Sequence, residues 1–188
     1  MFIDPIESTG RLNESVMNKL CLLQRAAKTV FPLKISVFCQ LMECPQIHRL
    51  FHVDDKVPYG IPNIVNQFST SHQQDIHLCS YETSPLSEPV HVYDLDLNSE
   101  TVIRSEKVLK HDFQVKVSQS GNAHLLVYWF QLNYGKTKII TYDPQKESLH
   151  YKQSMITFKE PIRAIENLNL TFMYHKGLMD FCIQNDNS

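Results

Sequence analysis

His48 and His52 stand one helical turn apart, and Asp54 and Asp55 follow them. Two imidazoles at that spacing can share a zinc ion when a further ligand arrives from elsewhere. Arg49 follows His48, so there is no HExxH signature, and no second Cys or His pair accompanies the HxxxH. A polar helix surface is the better reading. Nucleophilic chemistry is no better supported. The five cysteines, Cys21, Cys39, Cys44, Cys79 and Cys182, are irregularly spaced, contain no CxxC, and are joined by no GxSxG elbow. Cys39 falls at an inward strand position and Cys21 within a helix, the pattern of buried structural thiols. Asp4, Glu7 and Glu14 cluster in and just after the first loop. By composition alone they are a solvated loop plus one charge, Glu14, that favours a helix dipole. Tyr128, Trp129 and Phe130 are interleaved with no basic residue, so they read as core and not as a base-stacking platform.

These residues have to be positioned by elements that the hydrophobic period defines. Residues 1–12 form a loop with Pro5 and Gly10. Asn13 is a good N-cap, and Val16, Leu20, Leu23, Ala27 and Val30 follow a helical period, which predicts a helix from Glu14 to Thr29 stopped by Pro32. After Pro32 the period becomes two: Ile35, Val37, Cys39 and Leu41 alternate with Lys34, Ser36, Phe38 and Gln40. Pro45 can open a short helix burying Ile47, Leu50 and Phe51, and Ile61, Ile64, Val65 and Phe68 give one more short helical face. Beyond Asp75 the chain reads as strands: Ile76–Tyr81, Val90–Leu97, Phe113–Val117, His124–Tyr134, Lys138–Tyr142, Lys152–Phe158, Leu170–His175 and Met179–Ile183. The parity of Val90 and Val92 differs from that of Leu95 and Leu97, which predicts a β-bulge near Tyr93–Asp94. The run from Leu125 to Phe130 is apolar on both parities and belongs to a central strand covered on both faces.

Composition bounds the function classes. The chain has 188 residues, 43% hydrophobic and 20% charged, with a formal net charge of −2. It reads as one globular domain or a piece of a larger one, with no basic excess to suggest a nucleic-acid partner or an anionic membrane. Its longest apolar run falls far short of a bilayer span, and Met1-Phe-Ile-Asp-Pro5 lacks the basic and apolar regions of a signal peptide. An intracellular protein with reduced thiols, cytoplasmic or nuclear, is expected. With 5 glycines there is no GxGxxG and no GxxxxGK[ST], so no Rossmann-type cofactor loop and no P-loop.

Several segments, in order, resemble one family. Phe2-Ile-Asp-Pro-Ile-Glu-Ser-Thr-Gly-Arg-Leu-Asn-Glu-Ser-Val16 resembles the acceptor loop and following helix of protein arginine methyltransferases. Val37-Phe-Cys-Gln-Leu-Met-Glu-Cys-Pro45 is similar to their first barrel strand and its exit. Gln74-Asp-Ile-His-Leu78 and Pro85-Leu-Ser-Glu-Pro89 look like the same barrel in the subgroup with two tandem methyltransferase modules. Leu126-Val-Tyr-Trp-Phe130, followed by Leu149-His-Tyr-Lys-Gln153, is similar to the family's tryptophan-rich strand and threonine-histidine-tryptophan loop.

The resemblance implies a mainly β fold, an antiparallel β-barrel of the protein arginine methyltransferase type with an N-terminal helix, from which the Rossmann-like cofactor domain is missing. Residues 1–32 would be an acceptor-loop remnant and linking helix, 33–184 the barrel and 185–188 a polar tail. A guanidinium stays protonated at ordinary pH and is a poor nucleophile. The family orients it with two glutamates on one loop, and a barrel histidine closes the pocket. The second glutamate matches Glu14 and the histidine matches His150, but the first glutamate falls on or beside Pro5, Ser148 stands for the threonine and Tyr151 for the tryptophan. Glu14, His150 and Tyr151 are thus a degenerate acceptor site. The resemblance implies a module that does not catalyse alone, binds no cofactor itself, and belongs to a longer enzyme using S-adenosylmethionine. Its partners would be an arginine-containing protein substrate or a cofactor-binding methyltransferase module. The alternative is a stand-alone barrel that binds a protein ligand without methyl transfer.

Overall fold

A computed structural model describes residues 1–51, 73–99, 107–136, 139–141, 143–144 and 153–184. The predicted face at Ile61, Ile64, Val65 and Phe68 lies outside the described residues. The predicted helix is present but shorter and broken. It forms α1 (Glu14–Asn18) and α2 (Leu20–Ala26), which share Lys19 as the cap between them. Asn13 caps α1 as expected, its Oδ1 accepting from the Val16 N–H at 3.1 Å. The helix stops at Ala26 and not at Thr29 because the following chain has a better partner. The Asn98 side chain accepts from Val30 N–H at 3.0 Å and donates to Val30 C=O at 3.1 Å, holding this stretch extended.

The alternating run is β1 (Lys34–Glu43). Ile35, Val37, Cys39 and Leu41 are buried on one face, while Ser36, Phe38 and Gln40 point to the other. Buried Gln40 is satisfied by donating to Ser87 C=O at 2.7 Å, and the Ser87 hydroxyl accepts from Leu41 N–H at 3.0 Å. Pro45 opens α3 (Pro45–Phe51) as predicted; it buries Ile47 but leaves Leu50 64% exposed, contrary to the predicted face. The stretch expected as a strand from Ile76 to Tyr81 is instead the end of β2 (Gln73–Ile76) and a 3-10 turn (Leu78–Ser80). Leu78 N–H there donates to the buried Gln153 Oε1 at 3.1 Å, a long-range bond no local pattern announces.

The remaining strands are β3 (Ser84–Pro85), β4 (Val90–Asp96), β5 (Leu109–Val115), β6 (Gly121–Asn133), β7 (Ile139–Thr141), β8 (Gln153–Ala164), β9 (Leu168–His175) and β10 (Leu178–Ile183). β2, β8, β6, β1 and β3 follow one another in a seven-stranded sheet, with β4 also beside β1 and β7 beside β6; β10, β9 and β5 form a second sheet. The strand ladders are antiparallel throughout. The fold is therefore mainly β, a curled antiparallel sheet of barrel type with a short helical N-terminus, and the described residues contain no parallel β-α-β unit. The β-bulge lies one residue before its predicted place. Val37 pairs with Tyr93 and Phe38 with His91, so Val92 is the extra residue. β8 runs six residues past its predicted end; Pro161 falls in its irregular stretch, where a missing N–H costs no ladder bond.

β6 is the centre. It pairs with β1 along one edge and with β8 and then β7 along the other. Its residues from Ala123 to Phe130 are all buried, so both faces are covered as predicted. On one face Tyr128 meets Phe181 of the second sheet at 5.3 Å between ring centroids. Phe181 meets Phe172 at 5.4 Å, and Phe172 meets Tyr93 at 5.9 Å. On the other face Trp129 stacks on Phe38, with centroids 6.1 Å apart. Outside this face the Asp94 carboxylate takes hydrogen bonds from Lys34 Nζ at 2.8 Å and from Ser36, with His91 Nε2 at 2.9 Å. Partial burial opposes its ionisation, but these partners outweigh burial and hold its pKa at about 2. Trp129 is 3% exposed. Trp129→Ala is expected to cost about 3–5 kcal/mol in denaturant unfolding. A change within about 0.5 kcal/mol, as at ordinary surface sites, would contradict the central placement.

Candidate functional site

The first loop folds back on itself through backbone hydrogen bonds. Ile6 and Leu12 form an antiparallel bridge. Glu7 N–H donates to Arg11 C=O at 2.9 Å, Gly10 N–H to Glu7 C=O at 2.9 Å, and Asn13 N–H to Pro5 C=O at 2.7 Å. Gly10 supplies the positive φ of 77° that such a narrow loop needs. The loop is then fastened to the barrel. Ser154 of β8 donates from Oγ to Gly10 C=O at 3.0 Å, with no solvent exposure. Ser154 is the ladder partner of Tyr128, so one cross-strand pair of the β6–β8 seam faces this loop.

A cavity of about 170 Å³ opens there, lined among others by Glu7, Arg11, Glu14, Tyr128, Gly177 and Met179. Glu14 is the first residue of α1, where a carboxylate suits the helix dipole, and its Oε1 is 3.5 Å from Asn18 Nδ2. Glu7 Oε2 accepts from Thr9 Oγ1 at 3.3 Å. Tyr128 brings a phenol from the core. Burial pushes its pKa up, while a side-chain hydrogen bond with Ser154 and the positive charge of Arg11 pull it down, and the Asp180 carboxylate raises it. The far wall is the β9–β10 turn. Lys176 and Gly177 have φ of 49° and 93°, the pair of positive values of a two-residue type I′ hairpin. A Cβ on Gly177 would sit 3.0 Å from Glu14 Cα and 3.1 Å from Met17 Cβ. The turn therefore packs directly on the start of α1.

The structure places the sequence-derived candidates unevenly. Glu14 and Glu7 line one cavity. Asp4 does not; its Oδ1 accepts from Ile6 N–H at 3.3 Å, and its charge raises the pKa of Tyr134, after burial the second influence on that phenol. Pro5 is buried. Ser148, His150 and Tyr151 lie outside the described residues, as do His52, Asp54 and Asp55. The ring of His48 lies 5.4 Å from that of the buried His124. Among the described residues no three His, Cys, Asp or Glu side chains are grouped to hold a metal. Cys39 is fully buried, and burial pushes its thiol far up, away from the thiolate a nucleophile needs. Arg11, Tyr128 and Met179 were not read from the sequence as parts of a site. The only local signal was the Lys176-Gly177 dipeptide between two strand patterns, which marks a tight turn but not what it touches.

Residues 36–176 match the family profile described as the arginine methyltransferase oligomerization subdomain. The chain belongs to the arginine methyltransferase family. It is 28% identical over 193 residues to protein arginine N-methyltransferase 9 of Mus musculus and 26% identical to that of Homo sapiens, with 98% of this chain covered in each case. It spans 22% of the length of those relatives. Among solved structures it is similar in fold to a chain of the Trypanosoma brucei PRMT1 enzyme–prozyme heterotetrameric complex with AdoHcy, with a TM-score of 0.68 at 7% identity. That similarity covers 99% of this chain and 65% of the other. The methyltransferase resemblance read from the motifs is thus carried by nearly the whole chain. No helix among the described residues is long and apolar enough to cross a membrane.

Gly177→Ala is expected to destabilise the chain by about 1–2 kcal/mol from the positive φ alone, with a further loss from contact with Glu14. Chemical unfolding of this variant beside wild type checks it. Unchanged stability would show that the turn does not press on α1.

Proposed function

We propose that this chain is a supporting barrel module of an S-adenosylmethionine-dependent protein arginine methyltransferase, one that does not transfer methyl groups by itself. In this reading residues 1–32 are the acceptor-loop remnant and linking helix, and 33–184 are the barrel. Its partner is a cofactor-binding methyltransferase module in the cytoplasm or nucleus, against which it packs while shaping the approach of an arginine-containing protein substrate.

The observation that carries the reading is at Pro5. A bidentate grip on a guanidinium needs two carboxylates set by one loop. Here the first of the two family positions falls on or beside Pro5, a buried proline whose carbonyl is committed to Asn13 N–H. Glu7 reaches the same cavity from a different point of the loop, so the geometry of the pair is altered. Topology argues in the same direction for the cofactor. A dinucleotide-type site needs a parallel strand followed by a glycine-rich turn and a helix whose N-terminus meets the ligand. The described strands are antiparallel and the longest described helices have seven residues, so these residues do not fit S-adenosylmethionine. The oligomerization description of the matched family supports packing against another module.

Calorimetric titration with S-adenosylmethionine, together with a methyl-transfer assay on an arginine-containing peptide, tests the reading. No saturable heat and no methylated peptide are expected. Methyl transfer that Glu14→Gln abolishes would overturn it.

A further inference from the structure

The acceptor cavity carries a cation of its own. Among its lining residues Arg11 is the one positively charged side chain, and Glu7 and Glu14 are the charged groups of opposite sign. Arg11 is fixed at its root. Its carbonyl accepts from Glu7 N–H at 2.9 Å, and its neighbour Gly10 is tied to Ser154. Its side chain runs inward, since its Nε is shielded from solvent. Its charge is also felt by the phenol of Tyr128, a residue of the barrel core that lines the same cavity. A guanidinium is planar, always charged and weakly hydrated, so it tolerates such a half-buried place better than an ammonium would.

We infer that Arg11 is the specificity-determining residue of this cavity: it lines the same space as Glu7, Glu14 and Tyr128, and its positive charge keeps out an external cationic side chain of the same class. The inference rests on the reading of this loop as an acceptor-loop remnant and gives that reading a physical cause. With Arg11 in place a second guanidinium would meet a like charge inside a cavity of about 170 Å³. Without that charge the two carboxylates would line the cavity unopposed and favour a cation from outside.

Calorimetry with N-acetyl-arginine amide on the full chain tests this, comparing wild type with Arg11→Met, which keeps an unbranched stem without the charge. Arg11→Met is expected to bind at least about tenfold more tightly than wild type. The gain is expected to vanish with the neutral citrulline analogue and in the Arg11→Met, Glu14→Gln double variant. A folded Arg11→Met protein that binds no better than wild type would overturn the inference. If Arg11→Met does not fold, hydrogen exchange of the Arg11 Nε–H in wild type decides. It is expected to be at least about tenfold slower than that of Arg49, which is exposed on α3. Equal rates would place the guanidinium in solvent and end the proposal. Methyl transfer by wild type would sink the supporting-module reading through a separate assay, so the two failures are distinguishable.

Discussion

The structure depends on one strand that cannot be left half covered. From Ala123 to Phe130, β6 is buried residue after residue, so neither face can meet water. Each fully buried Leu, Val or Phe there stabilises the fold by about 1.5–3 kcal/mol relative to exposure. That gain is available only if β1 and β8 flank the strand and other elements cover both faces. The second sheet covers the Tyr128 side through Phe181 and Phe172, while Phe38 of β1 stacks on Trp129 on the opposite side. The order of the large sheet follows from this requirement.

The candidate site is a consequence of the same seam. Tyr128 and Ser154 are paired across β6 and β8, and Ser154 reaches the first loop through Gly10. The loop's short internal hydrogen bonds leave Glu7, Arg11 and Glu14 lining one cavity, and the β9–β10 turn closes it from the far side. A loop of this length would not hold such a shape from its own bonds, because each contributes only about 0.5–1.5 kcal/mol net. The barrel wall supplies the rest.

What the sequence disclosed follows the range of the interactions involved. β1 and β6 were legible because burial imposes a period, or cancels it, over many consecutive residues. The cap at Asn13 and the start of α3 at Pro45 were legible because each is decided within one helical turn. The end of the first helix was not, since Asn98, far along the chain, competes for the backbone of Val30. The 3-10 turn after β2 was missed for a similar reason, because Gln153 fixes Leu78. Within the candidate site Glu14 was singled out by the family resemblance, and it lines the cavity. Arg11 and Tyr128 were not, because a polar loop residue and an apolar-strand tyrosine look ordinary until the β6–β8 pairing brings them to one cavity.

The central claim is that the barrel seam, and not the loop alone, holds the first loop in place. Amide hydrogen exchange in wild type and Ser154→Ala measures this directly. The account predicts that Val127 and Tyr128 exchange slowest in both proteins, while the Gly10 and Asn13 amides are protected in wild type and exchange about three- to tenfold faster in Ser154→Ala, matching the loss of one hydrogen bond. Gly10 and Asn13 amides that exchange at the same rate in both proteins would contradict it.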